Sequence, residues 1–205
     1  MMIKKGFTLS EVMVTLCILG VITAVIAPVV NKSRPDRNKI MLKKAHSDLV
    51  QAVSELINDD VNYPASQMGT FNSETVQRGF NYTDRGLNTN IPATDVKFCY
   101  LLSQKLNTIG TVDCHSDPNT FNTTDGLRWI VTGDFNFSTT GRFFVIVDVN
   151  GDQGPNCGQG GAELCATNYP NKADTFTMKV RYDGKVSMDP AGEAILADPT
   201  NNKID

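Results

Sequence analysis

A single carboxylate stands inside the longest apolar stretch of the sequence. Between residues 7 and 30 the only charged side chain is that of Glu11, and two lysines precede the stretch. An ionised carboxylate inside a membrane helix costs about 2.5–3.5 kcal/mol on insertion scales, so it needs a partner or a function. Cleavage after Gly6 would leave the apolar helix on the mature chain and bring the new amino group of Phe7 close to Glu11. Glu11 is therefore a candidate for an ion pair with that amino group, in its own chain or in a neighbouring one.

A second group of oxygen-bearing side chains ends the most strand-like segment of the sequence. Asp148, Asn150 and Asp152 alternate along a loop, with the spacing that lets a turning chain surround a hard cation such as Ca²⁺. This run resembles the opening of EF-hand and dockerin calcium loops, except that Gln153 replaces the expected glycine and no bidentate glutamate follows. The alternative is a tight Asn-Gly turn in which the Asp and Asn side chains hydrogen-bond the backbone. From the residue types alone, a calcium site and a tight turn are both possible interpretations of this loop.

The cysteines divide between the apolar stretch and the rest of the chain. Cys17 lies within the apolar stretch, where we expect a small packing residue. Cys99, Cys114, Cys157 and Cys165 form an even set beyond it, as an oxidising compartment permits. Because short loops close easily, the pairing Cys99–Cys114 with Cys157–Cys165 is favoured. Zinc is the alternative, but its usual Cys-x-x-Cys spacing is absent.

The apolar stretch is long enough to cross a membrane. As a helix, residues 7–30 would span about 36 Å, and the hydrocarbon core of a bilayer is about 30 Å thick. A cleavable secretory signal would have a shorter apolar core, without an acid, and a cleavage site at its far end. Basic residues also occur at 31–39, where the positive-inside tendency would favour the cytoplasm. The sequence predicts a membrane helix with basic residues at both ends, which favour opposite orientations in the membrane.

The residues around Gly6 resemble a known processing motif. Residues 5–11 read Lys-Gly-Phe-Thr-Leu-Ser-Glu and run into the apolar helix. This arrangement resembles the prepilin leader shared by type IV pilins and type II secretion pseudopilins. The resemblance implies that residues 1–6 are a leader peptide, removed after Gly6 by a prepilin peptidase, and that Phe7 is then N-methylated. It also implies that Glu11 pairs with the Phe7 amine of a neighbouring subunit during filament assembly.

The same resemblance implies a location and a set of partners. The leader stays in the cytoplasm, so the chain would be a single-pass inner-membrane protein with an extracytoplasmic C-terminal domain. After assembly it would belong to a periplasmic or cell-surface filament. The implied partners are the prepilin peptidase, other pilin or pseudopilin subunits and the inner-membrane assembly platform.

Beyond the membrane helix the patterns predict an α+β domain of the pilin type. Apolar residues recur at three- and four-residue steps over 36–59, so we expect residues 31–60 to continue the helix with one face buried against a small antiparallel sheet. Residues 61–205 would form the globular domain, with a turn-rich insertion at 58–92 and a short helix over 95–106. Predicted strands cover 127–132, 142–149, 175–182 and 185–188, the last two joined by a type I′ turn at Asp183-Gly184. No strong periodicity follows Pro190.

Composition narrows the function classes. The net charge is −3, or −5 without the leader lysines, which argues against nucleic acid as the main partner. The chain lacks Gly-x-Ser-x-Gly and His-Glu-x-x-His elements and has two histidines, so we expect no enzyme activity. The predicted function is a structural filament subunit. The alternatives are a minor pilin acting in adhesion or DNA uptake, and a membrane-anchored calcium-dependent binding module.

Overall fold

The chain divides into two compact units in a computed structural model, Met1–Pro35 and Asp36–Asp205. The structure describes residues 8–32, 36–64, 68–71, 74–77, 80, 85–86, 90–133, 141–151, 153–159, 173–188 and 190–199.

The first unit consists of one apolar helix, α1 (Leu9–Lys32). Its segment Leu9–Ile26 has a mean hydropathy of 2.3 and is long and apolar enough to cross a membrane. No side chain of that segment is buried within the chain, and Leu9 remains 80% exposed. The predicted apolar helix is confirmed, and its side chains are available to lipid or to other helices.

The second unit begins with the amphipathic helix α2 (Arg37–Ile57). Asp36 is its N-cap, because the Asp36 side chain accepts a hydrogen bond from the backbone N–H of Asn38 at 2.9 Å. The helix therefore has its own start after the first unit. Its buried positions recur every three or four residues, as predicted: Lys39, Leu42, Ala45, Leu49, Ala52, Val53 and Leu56.

A seven-stranded sheet forms the centre of the second unit. Its strands are β3 (Thr108–Asp113), β4 (Asn119–Thr123), β5 (Arg128–Thr132), β6 (Arg142–Asp148), β7 (Gly158–Gln159), β8 (Thr175–Arg181) and β9 (Val186–Met188). The order is β3-β4-β5-β6-β8, with β7 and β9 both pairing with β8. Every pairing is antiparallel except that of the two-residue β7. The α+β, pilin-like fold class is confirmed, with a sheet larger than predicted.

The hairpin between β8 and β9 differs from the prediction. Gly184 has a φ of +82°, but Asp183 is not in the left-handed region, so the turn is not type I′. The N–H of Gly184 donates to the carbonyl of Arg181 at 2.9 Å, and the N–H of Arg181 donates to the carbonyl of Lys185 at 2.9 Å. A three-residue loop with one left-handed glycine gives this pattern, because the extra residue relaxes the demand for two positive φ values.

The core lies between α2 and one face of the sheet. Alternate strand residues enter it, and those of the central strands are almost completely buried: Trp129, Val131, Phe143, Val145, Val147, Phe176, Met178 and Val180. The rings of Phe98 and Phe143 meet edge to face with centroids 4.5 Å apart. The intervening residues of β6 and β8 face the opposite side of the sheet.

The remaining elements surround this core. Helix α3 (Lys97–Lys105) confirms the short helix predicted over 95–106. A two-stranded sheet pairs β1 (Met68–Phe71) with β2 (Glu74–Gln77) inside the turn-rich insertion. Helix α4 (Pro190–Ala197) was not predicted. Its C-terminal end is held by the buried Lys39, whose ammonium pairs with Asp198.

Candidate functional site

The N-terminal end of α1 is organised by Thr8 and Glu11. The backbone N–H and the hydroxyl of Thr8 each donate to Glu11 Oε2 at 2.8 Å. The N–H of Glu11 points back to the Thr8 hydroxyl oxygen at 3.4 Å. Thr-x-x-Glu is the sequence signature of a capping box, a signal that the sequence analysis did not use. Gly6 and Phe7, the predicted cleavage and methylation residues, lie outside the described residues.

Only one of the two oxygens of Glu11 is engaged in this cap. Within the described part of the chain, no donor reaches Glu11 Oε1. The carboxylate lies at the edge of a helix whose large side chains are exposed, such as Met13 at 63% and Leu16 at 63%. The site therefore combines exposed apolar side chains on the helix with a carboxylate that has acceptor capacity left. Cys17, expected to pack, is exposed on the same helix with a free thiol.

The loop after β6 is arranged around a residue that the sequence analysis missed, Asp174. Its carboxylate is completely buried and accepts hydrogen bonds from the backbone N–H groups of Asn156 at 3.0 Å and Cys157 at 2.8 Å. The side-chain amide of Asn150 donates to the same carboxylate at 3.1 Å. Asp174 thus joins the loop after β6 to the segment before β8. No sequence signal marks it, because 24 residues separate it from Asn150.

The predicted calcium residues show features of both open interpretations. Asp148 Oδ1 accepts from the N–H of Asn150 at 3.2 Å, which is the hydrogen bond of a tight turn. Asn150 Oδ1 is buried, and among the described residues no donor reaches it. Such a buried amide oxygen suits a hard cation, which binds oxygen ligands. Asp152 lies outside the described residues, and no described group of three or more His, Cys, Asp or Glu side chains is placed to hold a metal ion.

The predicted bridge between Cys99 and Cys114 is present. The two Cα atoms are 5.6 Å apart, and the bond ties α3 to the segment that follows β3. Cys157 is also disulfide-bonded. Its predicted partner, Cys165, lies outside the described residues.

A cleft of about 290 Å³ lies between α2 and the β4–β5 turn. Its central contact is an ion pair between Lys44 and Asp125 at 2.6 Å. Thr123 donates its hydroxyl to Asp125 at 2.5 Å and accepts from the indole N–H of Trp129 at 3.2 Å. Burial raises the pKa of the Asp125 carboxyl, but the hydrogen bonds from Lys44 and Thr123 outweigh it and lower that pKa overall. Burial raises the pKa of the neighbouring Asp48.

Comparisons with known proteins agree with the features of the N-terminal helix. Residues 1–27 match the family model described as the prokaryotic N-terminal methylation motif. A curated relative is the type II secretion system core protein G of Pseudomonas aeruginosa. It is 37% identical over 67 residues, which is 32% of this chain and 46% of that protein, so the match spans less than half of the relative's length. No solved structure matches the chain.

The chain thus combines the prokaryotic N-terminal methylation motif, an apolar helix capped by a carboxylate, and an α+β domain of pilin-like arrangement. Over 67 residues it is similar to a type II secretion system core protein.

Proposed function

We propose that the chain is a structural subunit of a type IV pilus-like or type II secretion pseudopilus filament. A prepilin peptidase removes residues 1–6 after Gly6, Phe7 is N-methylated, and the mature chain assembles through α1. The observation behind this proposal is α1 itself, which has 24 residues, matches the methylation motif and leaves its apolar side chains exposed. Its work is therefore mechanical rather than enzymatic.

The apolar surface of α1 explains how one helix serves in two environments. In the membrane its side chains contact lipid, and in a filament neighbouring helices replace the lipid. Because lipid and helix surfaces are similarly apolar, the transfer gains little from the hydrophobic effect, and packing and polar contacts decide the association. Glu11 is the charged group on this helix that can make such a contact.

The pairing of Glu11 with the Phe7 amine of a neighbouring subunit is supported by the capping box. Thr8 occupies Oε2, and within the described residues Oε1 has no donor. A neighbouring amine can therefore be bound without breaking the cap. Since an unpaired charge in an apolar surrounding is costly, this contact favours the register in which it forms.

The disulfides support the proposed location. Cys99 and Cys114 are bonded, and Cys157 is bonded as well. Disulfides persist in oxidising compartments and are rare in the bacterial cytosol. A single-pass inner-membrane topology with the domain on the extracytoplasmic side, in contact with the assembly platform, places these cysteines in such a compartment.

A direct test follows the mass of the chain and the appearance of filaments. In cells that contain a prepilin peptidase, mass spectrometry of the purified protein should show loss of residues 1–6 and one added methyl group on Phe7. The Gly6→Leu variant should keep its leader and form no filaments in electron micrographs. The Gly20→Ala variant is the matched control, because nothing lies within 4 Å of an added Cβ at that position. Normal processing of Gly6→Leu would contradict the proposal.

We further propose that Asp148, Asn150 and Asp152 hold a calcium ion. The buried, unpaired Oδ1 of Asn150 favours this over the turn alone, because a buried acceptor without a donor is costly. The ion would supply positive charge to the loop after β6.

A further inference from the structure

A groove lined by basic side chains lies on the sheet face that points away from the core. It crosses β6, β8 and β9 and has a volume of about 230 Å³. We call it the basic groove and define it by its lining residues: Arg142, Lys179, Arg181, Lys185 and Ser187. Four of these five side chains are cations, and the fifth is a hydroxyl.

Strand register brings these cations together. Arg142 lies directly opposite Arg181 across β6 and β8, and Lys179 lies opposite Ser187 across β8 and β9. Neighbouring strands are about 4.8 Å apart, and like charges that face each other across a pair destabilise it. The sheet nevertheless places Arg142 and Arg181 opposite each other, on the face away from the core. A conflict between a local pairing rule and the fold is expected at functional sites.

The positive charge of the basic groove is only partly neutralised. Arg181 forms a two-pronged contact with Asp183, in which its Nε donates at 2.7 Å and its Nη2 donates to the other oxygen. Lys179 and Lys185 form no ion pair within the described residues. Arg142 lies 5.9 Å from the centre of the Phe144 ring, which is half-exposed on the same face. An anionic partner would therefore meet two free ammonium groups beside an aromatic surface.

The charge of the whole chain indicates what such a partner would be. The sequence has 19 basic and 22 acidic residues. Without the two leader lysines and the four groove cations, 13 basic residues remain against 22 acidic ones, a net charge of −9 for the rest of the mature chain. A second copy of the chain therefore carries an excess of carboxylates outside its own basic groove. Filaments are built by contacts between two different surfaces of the same subunit, since a self-matching contact would close into a dimer.

We propose that the basic groove docks carboxylate side chains of a neighbouring copy of this chain in the filament. The inference rests on the proposed filament function and adds to it a second contact, separate from α1. Contact through α1 joins the subunits in the apolar core, and the groove fixes how neighbouring globular domains are oriented. The opposite charges also suppress contacts between two basic grooves.

The first test reverses the charge of the two unpaired lysines in the full-length chain. The double variant Lys179→Glu and Lys185→Glu should be processed and inserted like the wild type, but its filament yield should fall about tenfold or more, because like charges then meet. The conservative double variant Lys179→Arg and Lys185→Arg should retain normal yield. Protease resistance of each variant checks that the domain is folded. Normal filament yield from the folded reversal variant would overturn the proposal.

A single charge reversal outside the groove and the Glu11→Ala variant distinguish a failed groove contact from a failed contact through α1. Lys105→Glu reverses an exposed cation outside the basic groove and should assemble. If Glu11→Ala abolishes filaments and the groove reversal does not, the groove proposal fails and the filament function stands. If both variants form normal filaments, the groove proposal and the Glu11 pairing fail, whereas a wild-type chain that forms no filaments would contradict the filament function itself.

The second test identifies the occupant directly. A benzoyl-phenylalanine at position 185, activated by light in intact cells, should yield an adduct of two copies of this chain. The same group at Val61, which is 78% exposed and is not one of the residues lining the basic groove, is the control site. An adduct with a different protein, with lipid or with nucleic acid, or no adduct above the control, would overturn the assignment to a neighbouring copy.

Discussion

Thr8 and Glu11 cap α1 reciprocally, with two donors of Thr8 converging on the same oxygen of Glu11 at 2.8 Å. A glutamate within an apolar membrane helix is usually considered only for its charge. Here it also satisfies backbone N–H groups at the helix start, which have no partner within the helix. The cap uses Oε2 and the proposed ion pair would use Oε1, so the two can be separated by mutation.

Substitutions of Glu11 and of Thr8 should therefore have different effects on filament formation. Glu11→Ala should keep membrane insertion and leader cleavage but lose filaments, because no carboxylate remains for the neighbouring amine. Thr8→Ala removes the cap hydroxyl, at a cost of about 1 kcal/mol, and keeps the Glu11 charge, so filaments should persist. Membrane fractionation and electron microscopy measure both properties. Normal filaments from Glu11→Ala would rule out the ion-pair role.

Asp174 should be more sensitive to substitution than an exposed carboxylate of the domain. Asp174→Asn replaces one acceptor oxygen by an NH₂ group that faces backbone N–H donors in a buried position. We expect a loss of about 2–4 kcal/mol in the free energy of unfolding, since buried hydrogen bonds to a charged group are broken. Chemical denaturation monitored by Trp129 fluorescence measures it. Asp117→Asn, on an exposed side chain, is the control and should change stability by about 0.5 kcal/mol or less. Equal effects from both variants would remove Asp174 from its proposed role.

The ion pair between Lys44 and Asp125 should make stability depend on pH in a defined direction. The pKa of Asp125 is lowered from 3.8 in the folded chain, so its contribution is present above that value and is lost as pH falls through the folded pKa. The pKa of Lys44 is raised from 10.5, so the lysine contributes below that value and loses its contribution as pH rises through the folded pKa. Asp48 acts in the opposite direction to Asp125, because burial raises its pKa: its ionised form costs stability at higher pH, and this cost is relieved as pH falls through its folded pKa.

Replacing Asp125 should test this dependence. Asp125→Asn should destabilise the domain by about 1–2 kcal/mol at neutral pH, since the pair is partly exposed and a hydrogen bond from Thr123 is also weakened. The difference from wild type should shrink as pH falls below 3.8. Urea denaturation at several pH values measures it. A difference that grows toward acid would show that the carboxyl is favoured in its neutral form.

Sequence reasoning worked where one physical signal dominated. The apolar period gave α2, and β-branched and aromatic runs gave β5, β6 and β8, because these elements bury one face. Strands β3 and β4 were missed because polar residues such as Thr108 and Asn122 fill them, and their stability comes from pairing with β5. Helix α4 was missed because its end is fixed by a contact with Lys39, which is 159 positions away from Asp198 in the sequence.

Long-range contacts also explain why the sequence did not indicate Asp174 as part of the site. The loop residues Asp148 and Asn150 have recognisable types and spacing, whereas Asp174 becomes a partner only after β8 pairs with β6. The basic groove has the same origin, because Arg142 and Arg181 are brought together by strand register. The capping box of Thr8 and Glu11 is the opposite case, since its signal is local and was available in the sequence.

Calcium should stabilise the domain through the loop after β6. If Asn150 Oδ1 gains a cation as its partner, added Ca²⁺ should raise the unfolding midpoint and release or absorb heat in titration calorimetry, and a chelator should reverse both effects. Stabilisation at a hundredfold excess over the dissociation constant would be about 2.7 kcal/mol. Asp152→Ala should abolish the response, while Asp117→Asn, with its exposed carboxylate in another loop, should retain it. Mg²⁺ at equal concentration controls for general ionic effects, because it prefers a smaller and more rigid octahedral shell. If neither calorimetry nor thermal unfolding responds to Ca²⁺ in the wild type, Asp148 and Asn150 form the tight turn alone.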